Sequence, residues 1–170
     1  IFILPKLARD KTASYTLITQ SPRNKSTILA KRVKDKLRFS HEGRTILEYQ
    51  AEPGPLPRKD IDKIFARGGY LHPVYTPRGK LVTDDFPLQH THHHGIWFPW
   101  TKAVFEGRHP DFWNSADGSA RIDFLKLENS WSGSVHGGFV ARHRFMDLTA
   151  KPKPKAVIEE TWEVRVYAIT

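Results

Sequence analysis

Apolar residues along this chain recur mostly at every second position, the spacing of strands that bury one face. In KLRFSHEGRTILEY, Leu37 and Phe39 alternate with charged or polar neighbours. Ile46 and Leu47 continue the pattern less cleanly beyond HEGR, a Gly-containing tetrad that suits a hairpin turn. AEPGPLPRKD reads as a loop, because its prolines remove ladder donors. DIDKIFARGG suits a short helix with Asp60 as its cap and Gly68 or Gly69 as its stop. YLHPVYTPRGKLVTDDFP offers two short extended pieces around TPRGK, where Pro77 and Gly79 favour a tight turn. RIDFLKLENSW, with Ile122, Phe124, Leu125 and Leu127 as its apolar set, and GGFVARHRFMDLTA supply two more strands. After a KPKPK turn, AVIEETWEVRVYAI places Trp162, Val164, Val166 and Ala168 on one face. No long helical period and no solenoid or propeller repeat is visible. Short strands with Gly/Pro punctuation predict a mainly β chain, a sandwich or barrel, and we expect an antiparallel β-sandwich.

The 170 residues are enough for one domain with a real core. The chain begins at Ile1 without Met, and its last strand-like run reaches Thr170 with no turn or cap, so we expect a piece of a larger domain. Residues 1–35 form a basic segment without a clear assignment, and residues 36–170 form the sandwich. The net charge of +9 raises the question of nucleic acid, but its placement argues otherwise. Residues 1–68 carry 15 Lys+Arg against 7 Asp+Glu, whereas residues 69–150 carry 8 of each. No zinc-finger, RRM or KH pattern accompanies the basic part, so nucleic acid is not an expected partner. The absence of cysteine excludes disulfides, zinc ribbons and thiol nucleophiles. No run of about 20 apolar residues offers a membrane span.

The chemistry concentrates in HTHHHGIWFPW, residues 90–100. If this stretch is extended, His90, His92 and His94 fall on one face and His93 on the other. Three converging imidazoles with an open position suit a divalent transition metal, so His90, His92 and His94 are one possible ligand set. No HExxH accompanies them, and the nearest downstream acids, Glu106 and Asp111, lie in a loop. The alternative chemistry is proton transfer, with His92 or His93 as general acid/base, because imidazole titrates near neutrality. His72, His136 and Asp111 are further candidates for such work. Trp97, Trp100 and Trp113 could supply a ligand-binding surface, although each ring is also plausible core. The plain reading is that some of these histidines hydrogen-bond backbone in a packed turn beside Gly95.

Other signals are weaker. Asp84 and Asp85 are adjacent and read as turn residues. Ser134, near His136 and His143, lies in GSVHGG, which is not a nucleophile elbow. His41 in a hairpin turn and His109 before Pro110 read as structural or solvated. Trp113 stands in the polar loop FEGRHPDFWNSADGSAR, a place for a lid or platform.

Read in order, YLHPVYTPRG, VTDDFP, HTHHHGIWFPW and GRHPDFW resemble the bacterial PmoA-like family, from about Leu37 to Tyr167. That family carries the label methane oxygenase but is biochemically a domain of unknown function. Methane oxidation is rejected, because the membrane subunit of that name needs apolar spans this chain lacks. His90, His92 and His93 match the family motif firmly, while some members carry Arg at the position of His94. The resemblance implies an exported or periplasmic, carbohydrate-associated β-rich protein, with a galactose-mutarotase-like supersandwich as a consistent architecture. It implies a carbohydrate or small-molecule ligand. Three functions remain open: proton transfer on a sugar, a His-ligated metalloenzyme, or a non-catalytic sugar- or partner-binding module.

Overall fold

In a computed structural model, which describes residues 8–16 and 27–168, seven strands form two antiparallel sheets. The first sheet has the order β1 (Ile28–Val33), β2 (Lys36–His41), β3 (Arg44–Gln50), β4 (Tyr70–Val74). The second is β5 (Ala120–Trp131), β6 (His136–Asp147), β7 (Lys155–Tyr167). The mainly β, sandwich-type architecture is therefore as the alternation predicts. The β2–β3 hairpin closes through Glu42 and Gly43, both at positive φ (48° and 78°), with His41 paired to Arg44. Two positive-φ residues make the tight turn whose twist matches a hairpin.

The sheets meet through their inward faces. Leu37 and Phe39 of β2 and Tyr49 of β3 pack on Phe139 and Ala141 of β6 and Trp162 and Val166 of β7. Phe139 is the hinge of this packing, with ring centroids 4.4 Å from Tyr49 and 5.9 Å from Phe39. A smaller cluster of Phe112, Ala120 and Phe145 lies under the loop that precedes β5.

Two expectations need correction. The helix at DIDKIFARGG is only a 3₁₀ turn over Lys63–Phe65, capped by Asp62, whose side chain accepts from the Ile64 amide. Asp60 instead pairs with Arg58 at 3.2 Å, and a segment this short, with no apolar stripe to bury, has no packing to lengthen it. The unassigned basic segment also contributes structure, since β1 lies within it and pairs along β2 from Ile28–His41 to Val33–Lys36. Its signal was weak, because Ile28 is the one buried position of the strand and the apolar Leu29 beside it is exposed. Among the described residues no helix is long and apolar enough to cross a membrane.

Candidate functional site

The chain leaves β4, wanders irregularly for over forty residues and returns as β5, and the site is built on this excursion. Asp84–Ile96 forms a closed loop held against β4. Leu71 and Ile96 exchange backbone hydrogen bonds of 2.9 and 3.0 Å, the Gly95 amide donates to Asp84 O (2.9 Å), and the Phe86 amide donates to His93 O (3.0 Å). Inside the loop the His90 amide donates to Pro87 O (3.0 Å) and the His93 amide to His90 O (2.8 Å). These are two successive turns. A side chain at position 95 would strike the carbonyl oxygen of Leu71, so only glycine lets this backbone close on β4.

The coiling overturns the premise of an extended stretch, and with it the set His90, His92 and His94. His90, His92 and His93 converge instead, each offering a nitrogen, all within 4.8 Å of one another. His94 is buried on Asp85, outside the three converging nitrogens though still lining the cleft beside His92. Within the cluster the His90 and His93 rings stack (4.9 Å, 14°), and His92 stands edge-on to His93 (4.4 Å, 80°). Trp113 completes the group, stacked on His93 (5.9 Å, 23°) and perpendicular to His92 (5.6 Å, 85°).

Trp113 reaches this position because its loop is pinned at three points. Phe112 is fully buried against Phe145 (5.2 Å), and Arg108 Nε donates to Asp147 Oδ2 (2.6 Å). Asp111 Oδ1 accepts the amides of Trp113 (2.9 Å) and Asn114 (3.0 Å). One oxygen of Asp111 is thus spent on the turn, while its charge still acts on His92. Burial, followed by the charges of His93 and His90, pulls His92 below the usual imidazole range against the opposing pull of Asp111. His92 is therefore a neutral imidazole near pH 7.

Behind the cluster lies a buried polar layer. His94 Nδ1 meets Asp85 Oδ1 at 2.9 Å, and the Tyr70 hydroxyl donates to Asp85 Oδ2 at 2.9 Å. Asp85 is thus a partly buried partner and not a mere turn residue; Asp84 keeps that role, accepting the Asp85 amide. Deeper still, the Tyr49 hydroxyl meets His143 Nε2 (2.6 Å), and His143 Nδ1 meets Glu160 Oε2 (3.0 Å). Between the two sets stands Arg67, its guanidinium 4.2 Å from the centre of the Trp97 ring and its Nε donating to Gly68 O (3.1 Å). The sequence singled out none of Tyr49, Arg67, Tyr70 and Glu160, and offered His143 only as a neighbour of Ser134. A signal existed for His143, which falls in phase with Ala141 and Phe145 on the core face of β6 and directly opposite Glu160 on β7.

Of the other sequence candidates, His72, His136 and Trp100 lie apart from the cluster, whereas Trp97 lies beside it. His72 binds Thr83 Oγ1 (2.9 Å) and lines a neighbouring cleft with Lys36, Gln50 and Tyr70. His136 receives the Trp131 indole N–H (3.1 Å) beside Tyr167, at the end of β6 remote from Asp147, roughly 35 Å away at strand rise. Trp97 is partly buried against the core and lines a cleft with His93, His94 and Trp113, and Trp100 is half-exposed.

The polar layer has a consequence for alkaline stability. Burial first, then Glu160 for Tyr49 and Asp85 for Tyr70, pushes both phenols above their usual range. A pKa raised in the fold stabilises fully below the unfolded value, about 10, and is lost as pH climbs beyond it. Arg67, pulled down by burial, works in the opposite sense, but it is one group against two. The melting temperature is expected to fall steeply above about pH 10 and to fall less steeply in Tyr49→Phe/Tyr70→Phe. Equal melting at pH 8 and pH 10.5 would defeat this.

Residues 36–170 match a family of unknown function (DUF6807), and the chain belongs to that family. No curated protein and no solved structure matches it.

Proposed function

We propose that His90, His92 and His93 bind one divalent transition-metal ion of the zinc class, and that its open position takes an oxygen of a small organic ligand entering under Trp113. The observation that carries this is the convergence of three imidazoles from one loop, with nitrogens within 4.8 Å of one another. A tetrahedral ion at 2.0–2.1 Å needs nitrogens about 3.4 Å apart, a closure that ring rotation on a partly exposed loop supplies. Neutral imidazole is the ligating form, and burial already holds His92 neutral. A bound ion would polarise a ligand carbonyl or hydroxyl as a Lewis acid. The residues themselves hold and orient: Trp113 covers His92 and His93, and Asp111 fixes Trp113.

A second reading rests on the exposed ring of Trp113 and on the same neutral His92. Trp113 is 41% exposed, enough to present a face to the apolar side of a sugar. His92 would then act as general base on that sugar, which is the ligand class that the PmoA-like resemblance implies.

Zinc titration of chelator-treated protein by calorimetry at pH 7.5 separates the two. One equivalent bound, with the imidazole resonances of His90, His92 and His93 all shifted, is the expected result. No stoichiometric binding would remove the metal reading and leave His92 as a base.

A further inference from the structure

We infer that Arg67 is an anchor for a carboxylate group on the ligand, which makes the ligand an organic anion. The inference rests on the cleft under Trp113 being a ligand site, as proposed above.

Arg67 and His92 line one narrow cleft, together with Phe65, Trp113, Asn114 and Ser115. The guanidinium plane of Arg67 is set by the Trp97 ring beneath it and by the bond from Nε to Gly68 O. Its two terminal nitrogens take no protein acceptor among the described residues. The acids whose charges reach Arg67 are committed elsewhere, Asp85 to Tyr70 and His94, and Glu160 to His143. The other arginine of the cleft, Arg121, is already closed by Asp123 through bonds of 2.6 and 3.0 Å.

A partly buried guanidinium with a fixed plane and the free edge of its two terminal nitrogens has the fork that matches a carboxylate with paired hydrogen bonds. Burial already weakens the hydration of its charge, so an anion there gains more than it would in open water. Stacking on Trp97 holds the fork without consuming any donor. With His92 in the same cleft, a ligand held at its carboxylate by Arg67 directs a neighbouring oxygen toward the histidine cluster.

The test uses the side-chain Nε–H signal of Arg67 and the indole signal of Trp97 in two-dimensional NMR, on metal-free protein at constant ionic strength. Three carboxylates (acetate, lactate and D-glucuronate) are titrated beside their neutral counterparts (acetamide, lactamide and D-glucose). Saturable shifts of both signals with at least one carboxylate and none with its counterpart are expected. Arg67→Lys, which keeps the charge but not the fork, should weaken that binding about tenfold, and Arg67→Met should abolish it. Equal response to charged and neutral members, no response to any carboxylate, or unchanged affinity in Arg67→Lys would each overturn the inference. So would a response to inorganic phosphate alone, which would reassign the anchor to phosphoryl groups. Zinc affinity is measured separately on Arg67→Lys and should stay within about twofold, so a failed anchor and a failed metal site give different results.

Discussion

Replacing His92 with alanine is expected to lower zinc affinity by a hundredfold or more and to move the melting temperature by no more than about two degrees. The two halves have separate causes. His92 contributes one of three converging nitrogens, and loss of a direct ligand costs more than the 10–100-fold typical of a ligand's outer partner. Its ring is only partly buried and rests against His93, Trp113 and Phe65 without closing any core cluster. His94→Ala is the informative counterpart. It removes a ring buried on Asp85, Tyr70 and Phe86, so it should destabilise the fold and change zinc affinity only indirectly. Binding should also fall as the medium is acidified, because protons compete for the same nitrogens. A His92→Ala protein that binds zinc like the parent would end the metal reading.

Gly95→Ala is expected to cost on the order of 2–4 kcal/mol and to abolish zinc binding together with the loop. Gly95 has φ 28°, and a methyl there would press on Leu71 O and come within 3.0 Å of His72 Cβ. Leu71 O is the acceptor for the Ile96 amide, so relief of the clash breaks the pair that closes the loop on β4. Gly79→Ala isolates the steric part. Gly79 also has positive φ (80°), but a methyl there meets nothing within 4 Å, so only backbone strain, about 1 kcal/mol, applies. If the two variants melt together and bind zinc alike, the closure of the loop does not depend on this approach.

The sheets were legible wherever alternation was unbroken. β2 and β6 bury every second residue, and β7 turns Trp162, Val164 and Val166 inward as their spacing predicts. β5 was harder because its register to β6 shifts twice, between Phe124 and Lys126 and again between Leu127 and Asn129. A bulge reverses which parity faces the core, so Phe124 and Leu127 pack inward from positions that no single period-two reading selects together. The site was legible in composition and illegible in geometry. Four histidines in five residues marked the place, but strand spacing grouped His94 with His90 and His92. The turns after Pro87 instead bring His93 into the cluster and send His94 to Asp85. Arg67 carried no motif, and only the fold shows that Trp97 lies under it.

All three cluster imidazoles come from four consecutive residues, between turns closed by hydrogen bonds within the same loop. Their mutual placement is therefore a matter of phase along one short segment and does not depend on how the two sheets are registered. One residue inserted between Pro87 and His93 would rotate the rings out of step, while an insertion at the exposed Thr76–Lys80 turn would leave them as they are. For sequences that share this fold, the number of residues from Pro87 to Gly95 is thus a sharper marker of the site than the count of histidines it contains.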